Sequence, residues 1–182
     1  MRIQALLEGS DLLREEQESY MVALPVPAAA AAALALPGGE PAERLHITLA
    51  VLPGAQPLPA VARALRRLRL PRLRGTVGGV GRFLPKPSSP VLEPLVVTPD
   101  VPGLAQLRAQ VVRALRGAGA EISTRHDFVP HITLAYLKPG TPWPALPPRL
   151  SLDLGELQLV QRARVLLRVP LGKVTPLAGS VS

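Results

Sequence analysis

The sequence predicts an α+β fold with mainly antiparallel sheets, built from two related halves. Strand-like and helix-like segments are interleaved along the 182 residues, and neither type occupies a separate half of the chain. The sequence His-Ile-Thr-Leu-Ala occurs at 46–50 and again at 131–135, and such a repeat predicts two halves that bring the same side chains to one place. Hydrophobic residues make up 47% of the chain, which is enough for one substantial core.

The first half contains two predicted strands and two predicted helices. Tyr20–Val26 is rich in strand-forming residues, and an alanine-rich helix follows as far as Leu36, where Pro-Gly-Gly ends it. The first copy of the repeat predicts a strand over Leu45–Leu52. Apolar residues at helical spacing predict a helix over Leu58–Leu70, whose other face carries arginines.

The remaining predicted elements are five strands, one turn and one helix. The helix has the clearest pattern, because a stripe of leucine and valine at helical spacing is ended by glycines. The bounds are Gly75–Leu84 for a glycine-laden strand, Pro85–Pro90 for the turn, Val91–Val97 for a strand, Pro102–Gly117 for the helix, Pro130–Leu137 for the strand with the second repeat copy, and Leu150–Val169 for two strands.

We expect one folded domain at 20–170, preceded by a polar leader at 1–19 and followed by a flexible tail at 171–182. The apolar stretch Met21–Leu36 is shorter than the ~20 residues of a membrane helix and is interrupted by prolines, so no membrane association is expected. The acidic residues within 8–18 are untypical of a secretory signal. We also expect a monomer.

The charge and the cysteine content restrict the partners and the chemistry. The formal net charge of +8 favours polyanionic partners, of which RNA is the first candidate. The absence of cysteine excludes a disulfide framework, a zinc–thiolate site and a cysteine nucleophile. It also fits a cytoplasmic location, which we expect.

Each copy of the repeat presents an imidazole beside a hydroxyl. Side chains alternate along a strand, so His46 and Thr48 share one face, as do His131 and Thr133, while aliphatic residues anchor the other face. Histidine has a pKa near ~6.5, so one imidazole can be neutral and the other protonated at neutral pH. Such a pair can take a proton from a nucleophile and give one to a leaving oxygen of a phosphodiester, without a metal.

A single His-x-Thr on a strand usually means only a satisfied polar pair. Here the repeat preserves the histidine and the threonine as well as the aliphatic positions, and two of the three histidines in the chain begin the two copies. The duplication therefore favours a catalytic role, in which the threonine hydroxyls donate hydrogen bonds to the phosphate oxygens.

The paired motifs resemble the signature of the 2H phosphoesterase superfamily, which includes the 2′-5′ RNA ligase / RNA 2′,3′-cyclic phosphodiesterase proteins. The segment Phe-Val-Pro-His-Ile-Thr-Leu at 128–134 is similar to the F-x-P-H-x-T-L form of the family, and Leu-His-Ile-Thr-Leu at 45–49 is similar to its L-H-x-T-L form. The order of elements extends the resemblance over about Tyr20–Pro170.

This resemblance implies two pseudo-symmetric lobes of mainly antiparallel sheet, flanked by helices, with a central cleft that takes one HxT motif from each lobe. It implies that His46 and His131 are catalytic and that Thr48 and Thr133 bind phosphate, with no cofactor and no metal. The implied reaction opens an RNA 2′,3′-cyclic phosphate to a 2′-phosphomonoester, with 2′-5′ RNA ligation as the reverse reaction.

One departure from the family pattern leaves the substrate open. Many bacterial RNA cyclic phosphodiesterases of the family carry an arginine where this chain has Tyr136. The same chemistry on an oligoadenylate, a cyclic nucleotide or an ADP-ribose cyclic phosphate therefore stays an alternative.

Four residues outside the His and Thr pairs are candidate substrate contacts: Arg82, Arg125, Phe128 and Tyr136. Arg125 precedes the second motif closely and is suited to bind a phosphate. His126 is the third histidine, but it has no threonine partner and is not expected to act in catalysis.

Two further features have both a functional and a structural interpretation. Trp143, in a proline-rich loop, can stack on a base or cap the core. The arginines at 63, 66, 67, 69, 72 and 74 form the densest basic cluster, which can contact RNA or simply be a solvated helix face.

Two other classes of function compete with the enzyme. The basic charge would also suit an RNA-binding protein without turnover. A zinc site made by the three histidines is disfavoured, because they are widely spaced and each motif histidine has a hydroxyl rather than a metal ligand beside it.

Overall fold

The computed structural model describes residues 19–82, 92–124, 127–147 and 149–172. Within these ranges the chain forms eight strands and three α-helices. Their bounds are β1 Tyr20–Pro25, α1 Ala28–Leu34, β2 His46–Leu52, α2 Leu58–Arg67, β3 Leu73–Arg82, β4 Glu93–Asp100, α3 Leu104–Gly117, β5 Ile132–Leu137, β6 Ser151–Leu154, β7 Glu156–Gln161 and β8 Arg164–Pro170; a 3₁₀ turn, Ala42–Arg44, precedes β2.

The strands form two antiparallel four-stranded sheets, which confirms the predicted α+β class. The strand order is β2-β1-β7-β8 in the first sheet and β5-β4-β3-β6 in the second. The two motif strands, β2 and β5, are edge strands that lie against each other. Because β3 joins the second sheet and β7 joins the first, each sheet contains strands from both halves of the sequence.

One apolar core holds the sheets and helices together. Among the described residues no polar or charged side chain is buried, and the core consists almost wholly of leucine, valine, isoleucine and alanine. The helices add amphipathic faces, such as the buried stripe of Leu104, Leu107, Val111 and Leu115 on α3. Each fully buried leucine or isoleucine stabilises the fold by about 1.5–3 kcal/mol.

Both motif strands contain a β-bulge at the same position of the repeat. In the pairing of β1 with β2, Val22 faces Ala50 and Ala23 faces Thr48, which leaves Leu49 as the extra residue. In the pairing of β4 with β5, the extra residue is Leu134. A bulge shifts the alternation of side chains by one residue, so both leucines and the alanines that follow them are buried.

The C-terminal part of the fold differs from the prediction. The segment Leu150–Val169 contains three strands rather than two, because β6 and β7 are separated only by Gly155 and belong to different sheets. A passage between sheets through a single residue leaves no cluster of turn-forming residues in the sequence. The predicted second motif strand is also shorter at its start, since β5 begins at Ile132 and not at Pro130.

The expected leader and the expected tail lie mostly outside the described residues. Leu171, the first residue of the expected tail, is buried, and Gly172 exchanges backbone hydrogen bonds with the segment Leu70–Arg72. These two residues therefore belong to the folded domain. Residues 1–18 of the leader expected at 1–19, the turn at Pro85–Pro90 and the tail from 173 onward are outside the described part of the chain.

The loop between α1 and β2 crosses to the other sheet. The backbone N–H of Glu40 donates a hydrogen bond to the carbonyl oxygen of Leu134, at 2.7 Å. At the preceding position, a Cβ on Gly39 would lie 2.5 Å from the same oxygen, closer than real Cβ contacts. Only glycine therefore allows the loop to approach the bulge of β5 this closely.

A reciprocal connection runs from the second lobe to the first. The backbone N–H of Ser123, in the segment before β5, donates to the carbonyl oxygen of Val51 in β2, at 2.9 Å. The guanidinium Nε of Arg108 on α3 donates to the carbonyl oxygen of Leu49, at 3.0 Å. Both bulge carbonyls are thus satisfied by groups of the opposite lobe.

None of the helices in the described ranges combines the length and the apolar character that crossing a bilayer requires.

The close approach at Gly39 gives a prediction about stability. We expect Gly39→Ala to lower the free energy of unfolding by about 1–3 kcal/mol, because the methyl group must displace backbone. The matched control is Gly117→Ala, at the end of α3, where a Cβ meets nothing within 4 Å and alanine should be neutral or stabilising. Urea denaturation of both variants measures this, and equal stability of the two would contradict it.

Candidate active site

The four residues of the paired motifs line one cavity. Its volume is about 450 Å³, and His46, Thr48, His131 and Thr133 all form part of its wall. The neighbouring residues Ile47, Leu49, Ile132 and Leu134 are buried in the core. The strand alternation expected from the sequence is therefore observed in both copies, and the two motifs meet at one place.

The cavity lies mainly over the first sheet. The second lobe contributes three residues, which are His131, Thr133 and Tyr136. The other lining residues come from the first sheet and its connecting loops: Met21, Ala23, Pro25, Glu40, Glu43, Arg44, Leu45, His46, Thr48, Gln158, Val160, Arg162, Ala163 and Val165. Each lobe thus supplies one histidine and one threonine, whereas the rest of the cavity wall comes mainly from the first sheet and its loops.

The two imidazoles are oriented by equivalent hydrogen bonds. His46 Nδ1 lies 2.6 Å from the carbonyl oxygen of Arg44, and His131 Nδ1 lies 2.7 Å from the carbonyl oxygen of Val129. Since a carbonyl oxygen can only accept, Nδ1 carries the proton in both rings and donates. Nε2 is then the ring atom that can accept a proton in one protonation state and donate one in the other.

The bulge in β5 also explains the position of Tyr136. Tyr136 follows Thr133 by three positions, so in a regular strand the two side chains would lie on opposite faces. Because Leu134 is an extra residue, the alternation shifts by one position and Tyr136 lies on the same face as Thr133. There Tyr136 lines the cavity and is 52% exposed. On the first lobe, the Thr48 hydroxyl donates to the sulfur of Met21 at 3.2 Å.

Arg82 does not line this cavity. Its guanidinium forms an ion pair with Glu93 at 3.0 Å, in which the two side chains are only 9% and 14% exposed. It also donates to the carbonyl oxygen of Thr141 and lies 5.3 Å from the ring centroid of Trp143. These contacts give Arg82 a structural role in joining the loop of Trp143 to the second sheet, and that loop keeps the tryptophan ring half-exposed.

Phe128 also lies outside the cavity. Its partly buried ring packs against the core and faces the guanidinium of Arg108, whose Cζ is 4.2 Å from the ring centroid. Arg125 and His126 lie outside the described residues. Among the candidate substrate contacts that the structure describes, Tyr136 lies at the cavity with the two histidines, whereas Arg82 and Phe128 do not.

Part of the basic cluster at 63–74 is neutralised by an ion pair. Arg72 and Arg74 both face Asp153 of β6, and the hydrogen bond from Arg72 holds the pKa of the Asp153 carboxyl below its usual value. The same bond raises the pKa of Arg72. The cluster is therefore less cationic than the sequence indicates.

Several lining residues have no recognisable signal in the sequence. Arg44, Glu40 and Glu43 lie in the loop before β2, and Gln158 lies on β7. Arg162 is in the two-residue turn between β7 and β8, with a backbone φ of 54°, in the left-handed region that residues other than glycine rarely adopt. Because this turn contains neither glycine nor proline, the sequence carries no signal that would place it at the cavity.

The fixed charges of the cavity wall balance each other. Two arginines and two glutamates line the cavity, so its fixed charges balance without the histidines. Nowhere in the described ranges do three or more His, Cys, Asp or Glu side chains come together as a metal-ion site would need.

Two antiparallel sheets that each bring a His/Thr pair to one cavity define the class of two-histidine phosphoesterases. A family model described as the 2′-5′ RNA ligase superfamily matches residues 23–166. The chain belongs to this superfamily, within the 2H phosphoesterases. Membership places it among enzymes of the phosphodiesterase and ligase kind.

Solved structures share the fold. Escherichia coli LigT, crystallised with 3′-AMP, is 24% identical, with a TM-score of 0.61 over 85% of this chain and 95% of that chain. The protein TT0787 of Thermus thermophilus is 24% identical, with a TM-score of 0.65 over 84% and 97%. A crystal structure of a phosphoesterase is 26% identical, with a TM-score of 0.55 over 86% and 96%. Comparison with curated protein sequences gives no match.

The environment of Arg82 gives a prediction that separates structure from binding. We expect Glu93→Gln to lower the free energy of unfolding by about 3 kcal/mol, because it leaves a nearly buried guanidinium without its counter-charge. The control is Glu156→Gln, which removes the partner of Arg168 from a far more exposed pair and should cost about 0–1 kcal/mol. Thermal denaturation compares the two, and equal losses would refute the structural role.

Proposed function

We propose that this protein is a metal-independent phosphodiesterase that opens RNA 2′,3′-cyclic phosphates to 2′-phosphomonoesters. One observation carries the proposal: His46 and His131 line the same cavity, and each ring is oriented by an Nδ1 hydrogen bond to the carbonyl oxygen two residues before it. Two equivalently oriented rings at one cavity suit a reaction that needs one base and one acid.

In the proposed reaction, the neutral histidine accepts a proton at Nε2 from a water molecule as the water oxygen bonds to phosphorus. The P–O3′ bond breaks, and the protonated histidine donates its Nε2 proton to the departing 3′ oxygen. The product keeps the phosphate on the 2′ oxygen. A 5′-hydroxyl in place of water would give a 2′-5′ linkage, so the same geometry supports RNA ligation.

The threonines and the electrostatics fit an anionic transition state. Thr48 and Thr133 place a hydroxyl beside each imidazole, where they can donate to the non-bridging oxygens as charge develops. Because the glutamates and arginines of the wall balance, we assign phosphate binding to the hydroxyls and the protonated histidine rather than to a general basic field.

The surroundings of the cavity support a nucleotide substrate. The half-exposed ring of Tyr136 lies at the cavity wall, where it can stack on a base. LigT, which shares the fold, has been crystallised with 3′-AMP, ATP, NADP⁺ and phosphate. The tyrosine in place of the arginine of related enzymes leaves a second candidate substrate class open, namely oligoadenylates, cyclic nucleotides or ADP-ribose cyclic phosphate. We further propose a cytoplasmic monomer that requires no cofactor.

The two-histidine mechanism predicts turnover of a 2′,3′-cyclic mononucleotide in the presence of EDTA. We expect His46→Ala and His131→Ala each to lower kcat by about 10²–10⁴-fold, because each removes one proton-transfer step. The matched control is His126→Ala, the third histidine of the chain, which should keep the parent rate. Undiminished turnover in either motif variant, or loss of activity in EDTA, would refute the mechanism.

If both motif-histidine variants bind RNA tightly and the parent shows no turnover, the protein is an RNA-binding module instead. The turnover of the parent and the RNA binding of the two variants together therefore decide between the enzyme and the non-catalytic alternative.

The role of the threonines predicts a loss in kcat rather than in folding. Thr48→Val and Thr133→Val keep the shape of the side chain and remove its hydroxyl, and we expect kcat to fall about 10²-fold in each. Thr48→Ser and Thr133→Ser, which keep the hydroxyl, should retain most of the activity. Steady-state kinetics with the cyclic mononucleotide measures both pairs, and equal rates for valine and serine variants would exclude the hydroxyl from catalysis.

A further inference from the structure

A second cavity, of about 570 Å³, lies between α3 and the segment that leads to the second motif; we call it the α3 groove. One wall consists of α3 residues in two adjacent rows, each with a spacing of four, which places them on one face of the helix: Arg108, Val112 and Arg116 in one row, and Ala109 and Arg113 in the other. The opposite wall consists of Ile122, Ser123, Thr124, Asp127 and Phe128.

The groove combines partly exposed apolar side chains with a cationic rim. Val112, Ile122 and Phe128 are all partly buried, and the Arg108 guanidinium lies over the Phe128 ring. Arg113 and Arg116 are exposed, and neither has an ion-pair partner among the described residues. With Asp127 as the acidic residue of the lining, three guanidinium groups face one carboxylate.

The backbone limits the distance between this groove and the motif cavity. Phe128 precedes His131 by three residues, so their Cα atoms are no more than about 11 Å apart at the full reach of the backbone. Between them, Val129 supplies the carbonyl oxygen that orients His131. The wall of the groove thus continues directly into the segment that positions the imidazole.

We propose that the α3 groove binds the RNA chain that precedes the terminal cyclic phosphate. This inference rests on the proposed function, because it assumes that the reacting phosphate lies between the two histidines. Arg113 and Arg116 contact backbone phosphates of the upstream nucleotides, and the partly exposed apolar side chains pack against a base or ribose.

The charges favour this groove over the basic cluster at 63–74 as the binding surface for RNA. There, Arg72 and Arg74 are already paired with Asp153. Arg66 and Arg69 line a different cavity, with Pro170 and Gly172 on its far side, and neither motif contributes to it. The α3 groove instead has two arginines without an ion-pair partner among the described residues, and its wall residue Phe128 lies three positions before His131 in the chain.

The test compares two substrates and two double variants. The substrates are a 2′,3′-cyclic mononucleotide and a single-stranded oligoribonucleotide that ends in the same cyclic nucleotide. The groove variant is Arg113→Gln/Arg116→Gln, and the matched control is Arg66→Gln/Arg69→Gln, which removes the same charge from α2 and the segment that follows it. Circular dichroism and thermal denaturation first establish that both are folded.

We expect the groove variant to lower kcat/KM for the oligonucleotide about 10-fold, while the control keeps the parent value. The mononucleotide should be turned over equally by both variants, since none of these arginines lines the motif cavity. The slope of log kcat/KM for the oligonucleotide against log salt concentration should become shallower by about 1.4, or ~0.7 for each lost phosphate contact on a single strand. A further variant, Asp127→Asn, should raise the oligonucleotide value, because it removes a carboxylate that repels phosphate.

Equal oligonucleotide losses in the two double variants, or no loss in the groove variant, would overturn the proposal. If the parent turns over neither substrate, the proposed function fails separately. In that case equilibrium binding of the same oligonucleotide decides the role of the groove: weaker binding by the groove variant than by the control supports it, and equal binding refutes it.

Discussion

The two motif strands depend on each other's lobe for backbone hydrogen bonds. Each is an edge strand with a bulge, and the carbonyl oxygen of the extra residue in each bulge accepts a hydrogen bond from the opposite lobe. Glu40 supplies the donor for Leu134, and Arg108 supplies the donor for Leu49. Leaving such a group unpaired costs about 1–3 kcal/mol, so these bonds fix the lobes against each other and with them the separation of the two histidines.

This arrangement joins a symmetric reaction centre to an asymmetric binding site. The hydrogen bonds that orient His46 and His131 are equivalent, as are the bulges that follow Thr48 and Thr133. The rest of the cavity is built mainly on the first sheet, while the second lobe adds Tyr136. Any preference of one histidine for the role of base must therefore come from these unequal surroundings and from the direction in which the substrate lies.

The interlocked sheets explain why the two halves of the sequence do not form separate domains. β3 belongs to the first half of the sequence but pairs in the second sheet, and β7 belongs to the second half but pairs in the first sheet. Each sheet then needs strands from both halves to cover the core. The basic charge is distributed in a comparable way: part of it is paired within the fold, at Asp153 and Glu93, and part faces the solvent on α3.

The sequence by itself determined the α+β class, the duplicated motif and which face of each motif strand carries the His/Thr pair. These follow from local patterns, since strand alternation and helical spacing are properties of neighbouring residues. Only the tertiary structure decided that Arg82 and Phe128 stabilise the fold away from the cavity and that Arg162 lines it. It also decided that three strands, not two, complete the sheets. Contacts between residues far apart in the chain set these outcomes, and no local pattern records the single-residue passage at Gly155 or the bulge that turns Tyr136 toward the histidines.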